Sequence, residues 1–446
     1  MEPADVIVAV ATAAGRSAVG VVRLSGAHLN AYLQPLLGSR PTPRRATLAD
    51  FLDRHGTPID TGIALYFPSP NSYTGEDVLE LQGHGGSAVV GQVLERCLEL
   101  GARLAQPGEF TRRAFLNGKL DLAQAESVAD LIDASSERAA RSAMRSLKGE
   151  FSQRIHKLVA GLIDLRAWAE AGIDFPEEEI DPLAEEAALV RLRDLMDSIR
   201  RIKEAAISGS ILREGAHVAL IGRPNVGKSS LLNKLAGEEI AIVTEVPGTT
   251  RDAIRQYLVM DGVPIHIVDT AGVRQTNDPV EQIGMARTWE VLDKADVALL
   301  LIDVTVGMSP EDARILERMP SGIKSIVVAN KIDLAGLPAA VSQHGKEVEV
   351  RTSALSGDGI DLLRAEILKA IGWHPGEEGV FLARRRHLDA LERAESHLVH
   401  ASSSVAQLEL FAEELRLAQS RLNEITGEFS ADDLLGEIFG RFCIGK

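Results

Sequence analysis

The spacing of hydrophobic and polar positions changes several times along the chain, and each change marks a predicted region. Residues 1 to 118 contain two short β-branched runs, DVIVAVAT and VGVVRLSG, which predict paired strands. The stretch GIALYFPSPNSYTGEDVLELQGHGG then predicts a strand, a loop and a second strand, and a helical pattern follows from Ser87 to Leu100. This region is therefore predicted to mix α and β structure.

A helical region is predicted next, because there is no proline between Pro107 and Pro176. Apolar residues recur there at steps of three or four, namely Met144, Leu147, Phe151, Ile155, Leu158, Leu162, Leu165 and Ala169. This spacing predicts an amphipathic helix that packs in a bundle core. A further helix is predicted from about Leu183 to Ala206, ending at the Ser-Gly-Ser of residues 208–210.

Residues 216–371 alternate strands with helices, which is typical of a doubly wound, mostly parallel sheet. The predicted strands are 217–221, 256–260, 264–268, 297–302, 325–329 and 347–351. Helical spacing resumes after a glycine-rich linker, at Leu388, Leu391, Ala394, Leu398, Leu408, Phe411, Leu415 and Leu422. Gly427 suits a helix C-cap, and Ser430 with Asp433 suits the cap of a short last helix.

A helical region thus lies on both sides of the α/β region. The simplest topology is one helical domain interrupted by an inserted α/β domain, since insertions succeed where their two ends lie close together. The predicted boundaries are 1–118, 119–210, 216–371 and 380–446.

Composition narrows the classes of function. The 446 residues are 45% hydrophobic and 25% charged, and no apolar run approaches membrane-spanning length. We expect neither export nor anchoring, and the two cysteines fit a reducing cytoplasm. A net charge of −16 repels nucleic acid, so RNA contact requires a local basic patch or a partner. The densest basic cluster is Arg384, Arg385 and Arg386, which suits tRNA or partner contact, or else a solvated or acid-paired helix face.

The stretch VALIGRPNVGKSSLLNKL, residues 218–235, carries the clearest chemistry. It predicts a buried strand, a glycine-bounded loop and a helix, with the phosphate-loop pattern G-x-x-x-x-G-K-S from Gly222 to Ser229. The glycines let backbone N–H groups turn inward around phosphate oxygens. The helix N-terminus and Lys228 add positive charge, and Ser229 supplies a hydroxyl to Mg²⁺.

Four further motifs follow in the order that a GTPase requires. Gly-Thr-Thr at 248–250 offers Thr250 to Mg²⁺, and Asp-Thr-Ala-Gly at 269–272 ends a strand where it can sense the γ-phosphate. Asn-Lys-Ile-Asp at 330–333 provides a carboxylate for guanine N1–H and N2, and Ser-Ala-Leu at 353–355 offers backbone N–H to guanine O6. The predicted GTP-binding residues are Asn225, Val226, Gly227, Lys228, Ser229, Ser230, Thr244, Glu245, Val246, Pro247, Gly248, Thr249, Thr250, Asp269, Thr270, Ala271, Gly272, Asn330, Lys331, Asp333, Ser353, Ala354 and Leu355.

The usual means of activating water are missing from these motifs. Val273 stands where Ras-like proteins place a water-orienting glutamine, and no arginine finger is evident. Asn225, with the long switch loop, could coordinate a monovalent cation near the phosphates. Glu281 is a candidate for positioning water, although a solvated acid in a switch segment is the plainer interpretation.

Several blocks are more specific than a generic GTPase. They are PNSYTGEDVLELQGHGG, QPGEFTRRAFLNGKLDLAQAE, DLIDASSE, GRPNVGKSSL, GTTRD, FLARRRHL, LRLAQ, EITGEF and FCIGK. Together they resemble the tRNA modification GTPase MnmE (TrmE) family from Val6 to Lys446. The resemblance implies an N-terminal folate-binding and dimerisation domain, a split helical domain and an inserted Ras-like G domain.

The resemblance also implies partners and cofactors. Family members are homodimers that act with the flavoprotein MnmG (GidA), in a heterotetramer, at C5 of the tRNA wobble uridine. The implied cofactors are GTP, Mg²⁺, K⁺ and 5,10-methylenetetrahydrofolate, with 5-formyltetrahydrofolate as an analogue. We expect tRNA contact mainly through the partner, and no membrane.

Site residues carry over position by position. Asn225, Thr244, Val246 and Thr249 would ligate potassium, and Ser229 and Thr250 would hold Mg²⁺. Glu281 would be the general base or the water-orienting group, and Lys228 is a further catalytic candidate. The implied folate contacts are Arg23, Glu80, Lys119 and Lys446. Pro247 departs from the small residue common there. Cys443 fits a prenylation box poorly, and it is either a buried cysteine or, on the family interpretation, a reactive thiol beside the folate.

Two other classes of protein compete with this interpretation. A regulatory GTPase of the ribosome-assembly kind usually carries an appended RNA-binding domain, and no G-x-x-G RNA-binding module or basic tail follows the G domain. A structural scaffold stabilised by nucleotide would not need the full set of switch residues.

Overall fold

The computed structural model describes residues 5–174, 182–237, 255–269, 292, 295–320, 323–345, 347–373, 380–428, 432–440, 442 and 445. The chain divides into two compact units. The N-terminal unit comprises Met1–Ala129, Leu147–Glu177 and Ser404–Lys446, and the central unit comprises Asp130–Ser146 and Glu178–Ser403. The helical domain predicted at 119–210 and 380–446 is divided between the two units. Its boundaries therefore stay a prediction.

The N-terminal unit is built on a six-stranded sheet of order β3-β4-β5-β2-β1-β6. The strands are β1 (Ile7–Val10), β2 (Ser17–Gly26), β3 (Thr47–Leu52), β4 (Pro58–Phe67), β5 (Asp77–Gly85) and β6 (Arg103–Leu104). Helices α1 (Asn30–Leu37) and α2 (Ser87–Glu99) pack their apolar residues with those of one sheet face. The predicted strand pairs and the helix after Ser87 are confirmed.

The helices that complete the N-terminal unit are α3 (Glu109–Leu116), most of α4 (Leu122–Ile132), α6 (Glu150–Asp174), α13 (Leu408–Thr426) and α14 (Asp432–Gly440). The predicted apolar stripe is buried from Phe151 to Ala169. The prediction that this stripe continues back to Met144 in one helix is wrong. Met144 lies in a separate helix, α5 (Glu137–Leu147), which ends before Gly149, and the φ of +85° at Gly149 breaks the helical path. Gly427 is a left-handed C-cap, as predicted.

Helix α7 (Pro182–Glu214) belongs to the central unit and corrects a second prediction. The helix does not end at residues 208–210 but continues through them. Gly209 is buried there, and a Cβ on it would lie 1.8 Å from the carbonyl oxygen of Phe381. The glycine therefore permits a close backbone approach within a helix rather than ending one.

The central unit contains a seven-stranded sheet of order β12-β13-β11-β10-β7-β9-β8. The strands are β7 (Ala216–Gly222), β8 (Arg255–Met260), β9 (Val263–Asp269), β10 (Val297–Asp303), β11 (Lys324–Asn330), β12 (Ala340–His344) and β13 (Glu347–Arg351). The five inner strands are parallel, and β8 and β12 pair antiparallel at the two edges. All six predicted strands are confirmed, and β12 was not predicted.

Helices of the central unit include α8 (Lys228–Ala236), α9 (Pro310–Glu317), α10 (Ile332–Ala335), α11 (Ile360–Ala370) and α12 (Arg385–Ser403). The inner strands are apolar on both faces, since Leu299 and Leu301 lie in one buried cluster while Ala298 and Leu300 lie in another. Such burial is what a parallel sheet covered on both sides requires. Within the described part of the chain, no helix is long and apolar enough to cross a membrane.

The turn that joins β8 to β9 is held by three side chains. Arg138 donates to the Asp261 carbonyl at 2.8 Å and pairs with its carboxylate at 2.7 Å, and Trp373 Nε1 donates to the same carboxylate at 3.0 Å. Ser136 Oγ donates to the Gly262 carbonyl at 2.6 Å. A Cβ on Gly262 would lie 2.9 Å from Arg138, so a side chain there would disturb these contacts.

Candidate functional site

The predicted phosphate loop joins β7 to α8 at the carboxyl edge of the sheet. Asn225 and Gly227 both have positive φ, +65° and +101°, which turns the loop back on itself before the helix begins at Lys228. The Lys228 ammonium donates to the carbonyl oxygens of Gly222 and, at 2.9 Å, of Arg223. Its charge is therefore held at the loop, beside the N-terminus of α8, where an anionic phosphate would be bound.

Both glycines of the loop are required by space as well as by conformation. A Cβ on Gly222 would lie 2.6 Å from the Leu301 carbonyl oxygen, and one on Gly227 would lie 2.3 Å from Asn330 Nδ2. The second contact shows that the loop packs directly on the residue that ends β11. A side chain at either position would push the loop away from the sheet.

Asn330 ties three predicted motifs together. It is buried, and its Nδ2 donates to the Val226 carbonyl at 2.8 Å while its Oδ1 accepts from the Ala354 N–H at 2.9 Å. Those partners lie in the phosphate loop and in the Ser-Ala-Leu segment. One amide side chain thus fixes the distance between the phosphate and base ends of the predicted nucleotide site.

Asp333 lies at the base end of this site, in the first turn of α10. Its Oδ1 accepts from Ser353 Oγ at 2.6 Å, and the residue is exposed. Leu355, next to the buried Ala354, is 82% exposed. Among the described residues no hydrogen bond is made to the second carboxylate oxygen of Asp333, so this oxygen can still accept one from a ligand.

Ser229 and Asn225 are the described members of the predicted metal sites. Ser229 is exposed in the first turn of α8, and Asn225 is exposed in the loop before it. A hydroxyl and an amide oxygen are hard donors, which fits Mg²⁺ and K⁺ respectively. Asp269 ends β9 opposite Leu220 of β7, so its backbone is at the same edge.

The remaining predicted members of the nucleotide site lie outside the described residues. They are Thr244, Glu245, Val246, Pro247, Gly248, Thr249, Thr250, Thr270, Ala271, Gly272 and Glu281. Cys443 and Lys446 of the second predicted site also lie outside them.

That second site lies in the N-terminal unit, where β2 and β5 place Arg23 opposite Glu80. Arg23 Nε donates to Glu80 Oε1 at 2.9 Å, and Arg23 Nη1 donates to the Gly445 carbonyl at 3.3 Å. A Cβ on Gly445 would lie 2.5 Å from the Val10 carbonyl oxygen. Gly445 therefore packs against a predicted folate residue, Arg23, of the same chain.

Two aromatic residues at this site were missed by the sequence analysis. The Arg23 guanidinium lies 6.0 Å from the Tyr73 ring centre and 5.8 Å from that of Phe110. Tyr73 Oη and Thr111 Oγ1 are 2.8 Å apart. Both rings belong to sequence blocks that carried the family resemblance, which was the available signal. Lys119 is bonded to the same loop as Tyr73, since its Nζ donates to the Pro70 carbonyl at 2.8 Å.

Two residues of the block QPGEFTRRAF, Glu109 and Arg113, belong to a network of ion pairs. Arg113 pairs with Glu76 at 2.9 Å and with Glu109 at 3.0 Å, and Arg103 also pairs with Glu109. Burial raises the pKa of Glu109, but hydrogen bonds from Arg103, the Gln106 N–H and Arg113 outweigh it, so that pKa is lowered. Through Glu76, this network ties the end of the loop before β5 to α3.

The arginine cluster at 384–386 divides between two roles. Arg384 donates to Asp130 at 2.8 Å, and its side chain is largely buried. This agrees with the alternative that the cluster pairs with acidic residues. Arg385 is 85% exposed, 3.6 Å from Asp389. Arg384 is therefore not a free basic group for tRNA.

The chain was compared with known proteins. Residues 122–443 match the family model described as MnmE helical domain, and residues 6–119 match GTP-binding protein TrmE N-terminus. The tRNA modification GTPase MnmE of Chromobacterium violaceum is 58% identical over 441 residues, covering 99% of this chain and 98% of that protein. Its counterpart in Thiobacillus denitrificans is 59% identical over 443 residues, covering 99% and 98%.

Among solved structures, an Era variant from Aquifex aeolicus bound to GDP.AlF4- is 30% identical, covering 41% of this chain and 66% of that chain with a TM-score of 0.28. The two family matches together span nearly the whole sequence, and the relatives are matched along nearly their full length. The chain therefore belongs to the MnmE family of tRNA modification GTPases.

Proposed function

We propose that this protein hydrolyses GTP as part of tRNA wobble-uridine modification. The observation that supports this best is Asn330, which bonds to both the phosphate loop and the Ser353–Ala354 segment beside Asp333. Asp333 reads the N1–H and N2 amino group of guanine, and Lys228 with the loop N–H groups binds the phosphates. Ser229 holds Mg²⁺, which neutralises phosphate charge when bound.

Potassium supplies the positive charge that an arginine finger gives other GTPases. Asn225, Thr244, Val246 and Thr249 ligate it, and Glu281 positions the attacking water. The exposed Asn225 amide in its left-handed loop position supports the first of these assignments. Ion binding is coupled to pairing of two G domains.

The N-terminal site binds 5,10-methylenetetrahydrofolate as a one-carbon donor. Glu80 would accept hydrogen bonds from amino groups of the pterin, Arg23 would orient the Glu80 carboxylate, and Tyr73 and Phe110 would provide ring surfaces. Lys119, Lys446 and Cys443 complete the site, Cys443 as a reactive thiol. The contact of Arg23 with Gly445 supports this assignment, because Gly445 lies between Cys443 and Lys446 in the sequence.

The working assembly is a homodimer joined to the flavoprotein MnmG in a heterotetramer in the cytoplasm. Together they add an aminomethyl or carboxymethylaminomethyl group at C5 of the wobble uridine. The net charge of −16 and the pairing of Arg384 with Asp130 favour tRNA contact mainly through the partner.

The modification is tested by mass spectrometry of wobble uridines from a deletion strain. Loss of the C5 group on deletion, and its return with the wild-type gene, are expected. Arg23→Ala should fail to restore it while the purified variant hydrolyses GTP normally, because Arg23 lies outside the nucleotide site. Unchanged uridines in the deletion strain would refute the proposed function, and full restoration by Arg23→Ala would refute only the folate assignment.

Ion dependence is tested by comparing GTP hydrolysis in potassium and sodium at equal ionic strength and saturating GTP. Hydrolysis should be faster in potassium, and more so at higher protein concentration, because the fixed oxygen ligands fit the larger ion better. Asn225→Ala should remove most of the difference. Equal wild-type rates in the two salts would rule out the potassium mechanism.

A further inference from the structure

Each polar residue of the Asn-Lys-Ile-Asp motif is held by a partner elsewhere in the central unit. Asn330 bonds to Val226 and Ala354, and Asp333 accepts from Ser353, and these partners all belong to motifs that the sequence predicts. Lys331 is different. Its Nζ donates to Asp303 Oδ2 at 2.7 Å, and Asp303 lies outside every predicted motif.

Asp303 is itself fixed at both carboxylate oxygens. It is the last residue of β10 and lies directly opposite Asn330 in the parallel pair with β11. Its Oδ1 accepts from Thr305 Oγ1 at 2.6 Å and from the Thr305 N–H at 3.0 Å, while Oδ2 accepts from Lys331. The hydrogen bond from Lys331 and then those from Thr305 lower the pKa of Asp303, so the carboxylate stays charged at neutral pH.

Lys331 is constrained at its other end as well. Its φ is +68°, in the left-handed region that few residues other than glycine adopt, and it directly precedes α10. The side chains of Lys331 and Asp303 are 29% and 17% exposed. With both its backbone and its ammonium fixed, the four-carbon stem of Lys331 loses most of its freedom before any ligand arrives.

We propose that Asp303 is a positioning residue for guanine-nucleotide binding, which acts by ordering Lys331 at the base end of the site. This inference rests on the proposed function, because it presumes that a guanine nucleotide binds between Lys331 and Asp333. A preordered side chain does not lose rotamer freedom on binding, so the nucleotide binds more tightly. Asp303 affects GTP and GDP alike, because the two share the base and differ only at the γ-phosphate.

Asp303→Asn tests the proposal in the full-length protein. We expect the Kd values of GTP and GDP to rise together by about two- to fivefold, the range that a partly exposed ion pair supports. The kcat at saturating GTP should be unchanged, because the phosphates are bound by the loop before α8. Asp303→Glu keeps the charge and should recover part of the affinity.

Asp296→Asn is the matched control. Asp296 directly precedes the first residue of β10, whereas Asp303 is the last residue of that strand. Its Oδ2 accepts from the His217 N–H at 2.8 Å, so it also carries a structural hydrogen bond. This variant should bind both nucleotides as tightly as the wild type. If it weakens binding as much as Asp303→Asn does, general damage to β10 is the cause of the effect and the proposal is wrong.

A double-mutant cycle with Lys331→Met identifies the route of the effect. Methionine keeps most of the stem and removes the ammonium, so Asp303→Asn should cause no further loss in that background. A loss as large as in the wild-type background would overturn the proposal. So would unchanged Kd values for Asp303→Asn in a protein whose wild type binds GDP. If the wild type bound no guanine nucleotide, the proposed function would fail instead.

Discussion

Replacing Gly209 by alanine separates two opposing effects, because Gly209 lies inside a helix and against another segment. Alanine favours the helix over glycine by about 0.5 to 1 kcal/mol when the added methyl group meets no obstacle. At Gly209 that group would lie 1.8 Å from the Phe381 carbonyl oxygen and 3.2 Å from the Ala383 N. Phe381 and its neighbours are buried, so this backbone has little room to move.

The contact should outweigh the helix preference. Overpacking a well-filled interior costs typically about 1 to 3 kcal/mol, and a separation of 1.8 Å requires the two backbones to part by more than about 1 Å. If overpacking costs about 2 kcal/mol, the middle of that range, subtracting the helix preference of about 0.5 to 1 kcal/mol leaves an expected loss of about 1 to 1.5 kcal/mol in the free energy of unfolding.

Gly91→Ala is the matched control. Gly91 lies inside α2, and a Cβ there would meet nothing within 4 Å. Urea unfolding followed by far-UV circular dichroism should show a raised stability for Gly91→Ala and a lowered one for Gly209→Ala. If Gly209→Ala were as stable as the wild type or more stable, the assigned contact between Gly209 and Phe381 would be wrong.

Three further predictions follow from the sites. In its proposed role Asp333 accepts two hydrogen bonds from guanine, and Asp333→Asn would remove their charge assistance. The affinity for GTP should then fall by about 100-fold and xanthosine triphosphate should be preferred; unchanged GTP affinity in a competition assay would contradict this. Because the pKa of Glu109 is lowered in the fold, its charge stabilises the protein above about pH 4.3, and this contribution is lost as the pH falls further. Glu109→Gln should therefore reduce the difference between urea midpoints at pH 6 and pH 3.5, and an unaltered difference would show that Glu109 is not responsible. Burial raises the pKa of Cys97 to about 12, so in a Cys443→Ala variant a thiol reagent should react only after unfolding, and rapid native reaction would disprove the burial.

The strands of the central sheet were predictable because their patterns are long and apolar. In β10, for example, the consecutive residues from Ala298 to Leu301 are all apolar. Such continuous apolar runs predict buried strands in a chain that alternates strands and helices. The edge strand β12 lacks that pattern, since it is short and its Val341 is 42% exposed. Pairing with β13 determines it, and pairing is not a local property of the sequence.

Two wrong predictions share one physical cause. Gly209 was interpreted as a helix end and Gly149 passed unnoticed inside a stripe, whereas the structure continues the helix at the first and breaks it at the second. Glycine permits close approach and also permits positive φ, and only the neighbouring atoms decide which is used. Asp303 was missed for a similar reason, because its importance depends on Lys331, 28 residues away.

The turn at Asp261 and Gly262 has a consequence for how β8 and β9 can move. The two strands are joined by six residue pairs, from Arg255 opposite Val268 to Met260 opposite Val263, and the turn is anchored at its far end. A slip of one residue would carry the buried Leu258 and Met260 to the opposite face, which makes sliding between the strands costly. The hairpin is therefore expected to move as one piece, so that a displacement of Arg255 at one end of the ladder also displaces Val268 in the partner strand.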